Sequence, residues 1–278
     1  MRKENFVIAV LVLVTLSIYL FIAAPPPLEA NAQRGKLIPV ETMFKIVAQE
    51  NASARALYTQ EIVGPGQKAG LKFDENWRKP EVEAGPLPAL LLRETALGLE
   101  KHGTRLNLFL GSDFPIVEAN KFVGKQGDIF KKIRENRQAQ FFYSQDTKLY
   151  TAMFPDLAAA PGCVSCHNQH AKSSKKDWQI NDVMGATTWS YEKKEVTIEE
   201  TLQMVASLRQ SVREAYEAYL KKAKTYTTPP EIGAKWPKEG YFLPDAETFT
   251  QELTKRSSVK TIELLLSPDP SATLEAKK

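Results

Sequence analysis

The chain contains few of the residues that build disulfide scaffolds or metal clusters. It has two cysteines and three histidines among 278 residues. The cysteines, Cys163 and Cys166, are three positions apart, so they cannot join distant parts of the chain as disulfides do in small secreted scaffolds. Three histidines leave few ligands for a second metal centre.

Neither the charge nor the motifs indicate nucleic-acid binding or a common enzyme class. There are 37 basic and 33 acidic residues, and the formal net charge is +4. No run of Lys and Arg is interleaved with aromatic residues, so nucleic-acid binding has no support. The sequence shows no phosphate-binding glycine-rich loop, no Ser-His-Asp set and no paired-carboxylate site. We therefore expect a protein that is not an enzyme.

The N-terminus carries a long apolar run, from Phe6 to Ala24. At about 1.5 Å per residue, a helix of this length spans the hydrocarbon core of a bilayer. Arg2 and Lys3 precede the run and favour a cytoplasmic N-terminus. The pattern predicts a single-pass helix in a bacterial cytoplasmic membrane, with the rest of the chain on the periplasmic side. The small residues Ala23-Ala24 leave open a cleaved signal peptide and secretion to the periplasm.

After this segment, hydrophobic periodicity predicts alternating groups of helices and strands. Gly64-Pro65-Gly66 is expected to end the first helix, and a short strand is expected to start at Pro115. The order indicates an α+β fold with an antiparallel sheet and helices grouped on one side. The predicted helices are 40–62, 87–102 and 120–138, and the predicted strands are 106–110, 139–143, 149–154 and 183–191.

A long amphipathic helix is predicted from Glu195 to about Lys224. Its single apolar stripe either packs on its own domain or pairs with a second copy, so a homodimer stays open. The tail beyond is rich in Pro, with a short helix from Asp245. The predicted organisation is a membrane anchor or signal segment (1–24), a linker (25–39), a globular domain (40–192), the long helix (193–225) and a Pro-rich tail with a short helix (226–278).

The most specific motif is Cys163-Val164-Ser165-Cys166-His167, which has the spacing of covalent haem attachment. Two thiols three positions apart reach the two vinyl groups of one porphyrin, and the adjacent histidine then ligates the iron. We predict one covalent haem c, held by a loop, with His167 as the proximal iron ligand. Two alternatives stay open: a zinc site that adds His170 to these ligands, and a redox dithiol.

The residues around this motif resemble a bacterial family of PAS-like domains with a c-type haem. The resemblance rests on Phe154-Pro155-Asp156, on residues 163–170 and on residues 177–185, and it covers about Val40 to Tyr191. Such domains occur alone or in front of histidine kinases, cyclases and chemoreceptors, with the haem part outside the membrane. The resemblance implies a PAS-like antiparallel sheet with flanking helices around the haem loop.

The side chain on the far side of the iron is undecided. Some relatives carry a cysteine on the first helix, where this chain has Ala48. The candidate sixth ligands are Met43 and Met153, then Met184 and His102, and an open position is the other option; each methionine could equally be a core filler. Trp178 is predicted to flank the porphyrin.

Two functions follow from the position of the haem. One is a redox or gas sensor that acts through a separate signalling partner, because no kinase, cyclase or receptor domain follows. The alternative is a membrane-tethered monohaem cytochrome that transfers electrons to a redox partner. The sixth ligand distinguishes them, because an open iron permits gas binding and a firmly held side chain favours electron transfer.

Overall fold

The computed structural model describes residues 3–22 and 37–266 of the chain. The chain divides into two compact units, Met1–Lys36 and Leu37–Lys278. Within the residues described, no helix is long and apolar enough to cross a membrane. The predicted transmembrane helix is therefore corrected. The predicted cleavage site at Ala23-Ala24 lies outside the described residues.

The described residues form an α+β structure with small sheets. The helices are α1 (Lys3–Ile22), α2 (Val40–Leu57), α3 (Gly64–Ala69), α4 (Pro88–Lys101), α5 (Gly124–Asn136), α6 (Pro161–Gln169), α7 (Ile198–Ala223) and α8 (Ala246–Leu266). The strands are β1 (Leu37–Pro39), β2 (Phe73–Asp74), β3 (Gly85–Pro86), β4 (Asn107–Gly111), β5 (Gln140–Ser144), β6 (Leu149–Leu157), β7 (Val183–Tyr191), β8 (Glu195–Thr197), β9 (Glu231–Gly233) and β10 (Phe242–Pro244).

The main sheet has four antiparallel strands in the order β4-β7-β6-β5. The four strands expected in this region are confirmed, and their ends lie within three residues of the predicted ones. The strand expected at Pro115 is wrong, because the chain bends there into a 3-10 turn at Glu118–Asn120. Strand β7 lies between β4 and β6, and most of its residues are buried.

The helical segment that starts with α2 continues beyond residue 62, where the sequence predicted its end. A π-helical turn (Tyr58–Val63) connects it directly to α3. The prediction that Gly64-Pro65-Gly66 stops the helix is wrong, because Pro65 lies in the first turn of α3, where a proline costs no helical hydrogen bond. The helix ends at Gly70, whose φ of 102° is a conformation that glycine adopts without strain.

The sheet separates two hydrophobic clusters. Successive side chains of a strand point to opposite faces, and the neighbours Ala152 and Met153 on β6 belong to different clusters. The larger cluster joins the sheet to α2, α4, α7 and α8. The smaller one joins it to α5 through Phe130 and Ile133.

The C-terminal helices pack on the sheet-containing domain of their own chain. The apolar stripe of α7, including Val205, Leu208 and Val212, is buried in the larger cluster. The segment predicted as a tail with a short helix contains the 21-residue helix α8, which packs against α2 and α7. Its buried face includes four residues spaced four positions apart, Phe249, Leu253, Ser257 and Thr261. Two of them are polar, so the sequence showed no continuous apolar stripe.

Candidate haem attachment site

Cys163, Cys166 and His167 lie on helix α6, so the predicted haem loop is wrong. Ala160 is extended before the helix, and its carbonyl accepts a hydrogen bond from the Cys163 N–H at 3.0 Å. Pro161 is the first helical residue, a position where its fixed φ favours the helix. Pro161 was thus the sequence signal for a helix start.

The helix brings the two thiols and the imidazole onto one side. Residues three and four positions apart are neighbours on a helix surface, so Cys163 is adjacent to both Cys166 and His167. Neither cysteine is in a disulfide; Cys163 is half-buried and Cys166 is exposed. No residue of α6 is buried. The thiols are therefore free to react with a group placed along this helix.

His167 has the properties of a neutral metal ligand. Its Nδ1 atom is buried and has no hydrogen-bond partner. Burial lowers the pKa of the imidazole, and the neighbouring His170 lowers it further, against an opposing effect of Asp156. The neutral imidazole is the form that coordinates a metal ion.

Trp178 is held against His167, and its place beside a porphyrin stays a prediction. The indole is 4% exposed, and its ring lies edge-on to the imidazole at a centroid distance of 6.5 Å. Asn168 fixes this position, because its side chain donates to the Trp178 carbonyl at 3.0 Å and accepts from the Trp178 N–H at 2.9 Å. The pair bridges α6 and the loop that follows it.

Arg55 is a neighbour of the site that the sequence analysis missed. Its guanidinium on α2 donates to Asp156 on β6 at 2.7 Å. Burial opposes the charge of Arg55, but Asp156 more than compensates and raises its pKa, with a smaller contribution from Cys163. Asp156 lies five residues before α6 begins, so the ion pair is close along the chain to the attachment helix. A separation of 101 residues between the ion-pair partners leaves no local sequence signal.

The two preferred candidates for the sixth ligand are far apart. Met43 on α2 and Met153 on β6 are both fully buried, but they lie in the clusters on opposite faces of the sheet. Met43 precedes Arg55 by twelve residues, or about 18 Å along the helix axis. Both side chains fill core positions, and their ligation of iron stays a prediction.

The remaining candidates have other partners. His102 lies 3.3 Å from a carboxylate oxygen of Glu214. His170 contacts Glu75 at 3.2 Å and accepts a hydrogen bond from the Lys172 N–H. Met184 is half-buried on β7. Across residues 3–22 and 37–266, no group of three or more His, Cys, Asp or Glu is arranged to hold a metal ion, so the four-ligand zinc arrangement is not formed there.

These residues fit a covalently attached haem. The group would take both free thiols, would give the unpartnered imidazole an iron to coordinate, and would cover the half-exposed side of α6 beside Trp178. A redox dithiol explains neither His167 nor the packing of Trp178 against it.

One comparison with known proteins identifies a family. The Tll0287-like family (Tll0287) matches residues 40–191, the same region that carries the resemblance in the sequence. The matched region is more than half of the chain. No curated protein and no solved structure matches the chain. The chain therefore belongs to the Tll0287-like family.

Proposed function

We propose that this protein holds one covalent haem c on helix α6 and is a redox or gas sensor outside the cytoplasm. One observation carries the proposal: α6 places two free thiols and an unpartnered, half-buried histidine side by side, against Trp178. The membership of the Tll0287-like family supports it. The periplasmic location is inferred from the chemistry, because bacteria normally attach haem c on the outer side of the cytoplasmic membrane.

Each residue of the site has a separate task in this proposal. The Cys163 and Cys166 thiols would each bind the haem through a thioether, formed when one S–H adds across one vinyl group. His167 is the proximal ligand, and Asn168 keeps Trp178 against it so that the ring orientation is maintained. When bound, a haem supplies an iron that changes its oxidation state by one electron and, with an open sixth position, binds a gas.

Helix α2 supports an open sixth position. Ala48 and Arg55 are seven residues apart and therefore share one helix face, about 10 Å apart along the axis. Arg55 pairs with Asp156 at 2.7 Å, five residues before α6 begins, so we infer that this face is directed toward the attachment site. Ala48 is half-buried there and its methyl group offers no ligand atom. We therefore propose a site accessible to a small gas.

Helix α2 also connects the site to the C-terminal helices. Five residues before Arg55, the buried Glu50 carboxylate accepts two hydrogen bonds from Arg209 on α7 and one from Thr261 on α8. A displacement of α2 at the haem would therefore reach α7 and α8. We propose that these helices transmit the signal to a separate partner protein.

The test is the reduced visible spectrum of the full chain, expressed with a c-type haem maturation system, with and without carbon monoxide. The wild type should retain haem after denaturation and change its spectrum with carbon monoxide. Ala48→His should offer an imidazole to the sixth position and remove most of that change. Ala206→His is the matched control, because Ala206 is exposed on α7, and it should behave like the wild type.

The outcomes separate attachment from sensing. If no haem survives denaturation, the attachment proposal is wrong. If haem is covalent but the spectrum ignores carbon monoxide, a side chain occupies the sixth position and electron transfer becomes the better account. Met43→Leu and Met153→Leu would then identify which methionine is the ligand, since they lie on opposite faces of the sheet.

A further inference from the structure

Asn51 lies on the face of helix α2 that we inferred to be directed toward the attachment site. Ala48, Asn51 and Arg55 are three and four positions apart, so they are neighbours on the helix surface. Along the helix axis, Asn51 is about 5 Å from Ala48 and about 6 Å from Arg55. It is therefore one helical turn from the residue that pairs with Asp156 on β6.

The same face of α2 contacts β6 at a second point. Phe44 precedes Asn51 by seven residues, a spacing that keeps both residues on one side of a helix. Phe44 lines a small cavity together with Tyr150 and Thr151 of β6. Asn51 thus lies between two points at which α2 meets β6, Phe44 and Arg55, on the side of the helix that faces the strand leading to α6.

The carboxamide of Asn51 is buried and unsatisfied. The residue is 4% exposed, and its Oδ1 atom is buried and accepts no hydrogen bond from the residues that the structure describes. Buried side-chain polar atoms nearly always have a partner, because an unpaired one has lost its bonds to water and gained none. An apolar side chain of similar size would avoid this loss, so stability of the fold does not explain the asparagine.

Asn51 is a polar residue of this face that is available to a ligand. The Arg55 guanidinium is already bound by Asp156 at 2.7 Å, and Ala48 offers only a methyl group. A carboxamide carries two N–H donors and an acceptor oxygen on one planar group, and a half-turn of that group exchanges them. Asn51 can therefore donate an N–H to an atom that is placed against this face.

We propose that the Asn51 carboxamide donates a hydrogen bond to a gas at the sixth position of the haem and thereby selects dioxygen over carbon monoxide. This inference rests on the proposed function. Hydrogen-bond donors and polarity on the far side of a haem decide which gas it holds. A donor there favours dioxygen, whose outer atom accepts a hydrogen bond well, over carbon monoxide, whose outer atom accepts one poorly.

The first arm of the test needs no haem and uses the full chain with Cys163→Ser and Cys166→Ser. Asn51→Val replaces the carboxamide with an apolar side chain of similar size and helix propensity. The midpoint of urea denaturation should rise, because no unsatisfied acceptor stays buried. Gln49→Met is the matched control. Gln49 lies on the opposite side of α2 and its amide donates to Ser53 at 3.2 Å, so this variant should not gain stability.

The second arm uses the haem-loaded full chain and measures the dissociation constants for dioxygen and carbon monoxide. Their ratio isolates the hydrogen bond, because a change in access to the site affects both gases alike. Asn51→Val should weaken dioxygen binding relative to carbon monoxide by about tenfold, as the loss of one hydrogen bond predicts. Gln49→Met should keep the wild-type ratio.

The results separate this inference from the proposed function. If the wild type binds both gases and the ratio is unchanged in Asn51→Val, this inference alone is wrong. It is also wrong if the haem-free Asn51→Val variant loses stability, because the carboxamide then has a structural partner. If the wild type attaches no haem or binds no gas, the proposed function fails and this inference fails with it.

Discussion

Glu50 is the most deeply buried carboxylate that connects the domain to its C-terminal helices. Its side chain is 1% exposed, and Arg209 binds both of its oxygens, at 2.9 Å from Nε and 2.7 Å from Nη2. Thr261 on α8 donates a third hydrogen bond. The change Glu50→Ala would therefore remove the acceptor shared by α7 and α8 and leave Arg209 without its carboxylate.

The expected loss of stability follows from the burial of the pair. Removing one partner of a buried ion pair costs about 3–5 kcal/mol, because the other charge is left uncompensated. The Arg209 side chain is 22% exposed, so water can reach part of it. We therefore expect the lower end, a decrease of about 3 kcal/mol in the free energy of unfolding.

The measurement is urea denaturation of the full chain followed by far-ultraviolet circular dichroism. Glu247→Ala is the matched control, because Glu247 on α8 pairs with Arg213 of α7 at 2.7 Å but is 61% exposed. Water screens an exposed pair, so this variant should lose much less stability than Glu50→Ala. Equal losses in the two variants, or a loss below about 1 kcal/mol for Glu50→Ala, would refute the argument from burial.

Three further predictions concern the haem-free fold. Asn168→Ala removes both side-chain bonds to Trp178, and should lower the unfolding free energy by about 1–3 kcal/mol and weaken the near-ultraviolet circular dichroism of the indole. Gly185→Ala places a methyl group 2.5 Å from a backbone oxygen of β4 and should lower the melting temperature, whereas Gly162→Ala meets nothing within 4 Å and should not. Burial raises the pKa of Tyr219 well above its usual value, so its contribution to stability is present below about pH 10 and is lost as the pH rises above it. Tyr219→Phe should reduce this alkaline loss in unfolding measured against pH and cost little at neutral pH, because the hydroxyl has no partner; an unchanged alkaline loss would contradict the assignment.

Most helices and strands of the domain were predictable, because each follows from the spacing of residues within a short segment of the chain. Helical spacing predicted α4 and α7, and alternation predicted β4. The other three strands of the main sheet were also predicted, with ends that differ by at most three residues. The errors occurred at prolines, which can either end a helix or begin one, depending on the residues around them. Pro65 reads as a helix stop, but it begins α3, and Pro161 begins α6 in a segment predicted as a loop.

The sequence by itself determined which residues form the candidate haem site, because Cys163, Cys166 and His167 lie within five residues and have the spacing that is typical of haem attachment. It also brought Trp178 into consideration, only eleven positions further on. Only the tertiary structure could pair Arg55 with Asp156, put Met43 and Met153 on opposite faces of the sheet, and bury Glu50 between α7 and α8. These contacts join residues that are far apart in the chain. They arise from how helices and strands pack against one another, and the spacing of residues within a single helix or strand does not predict that packing.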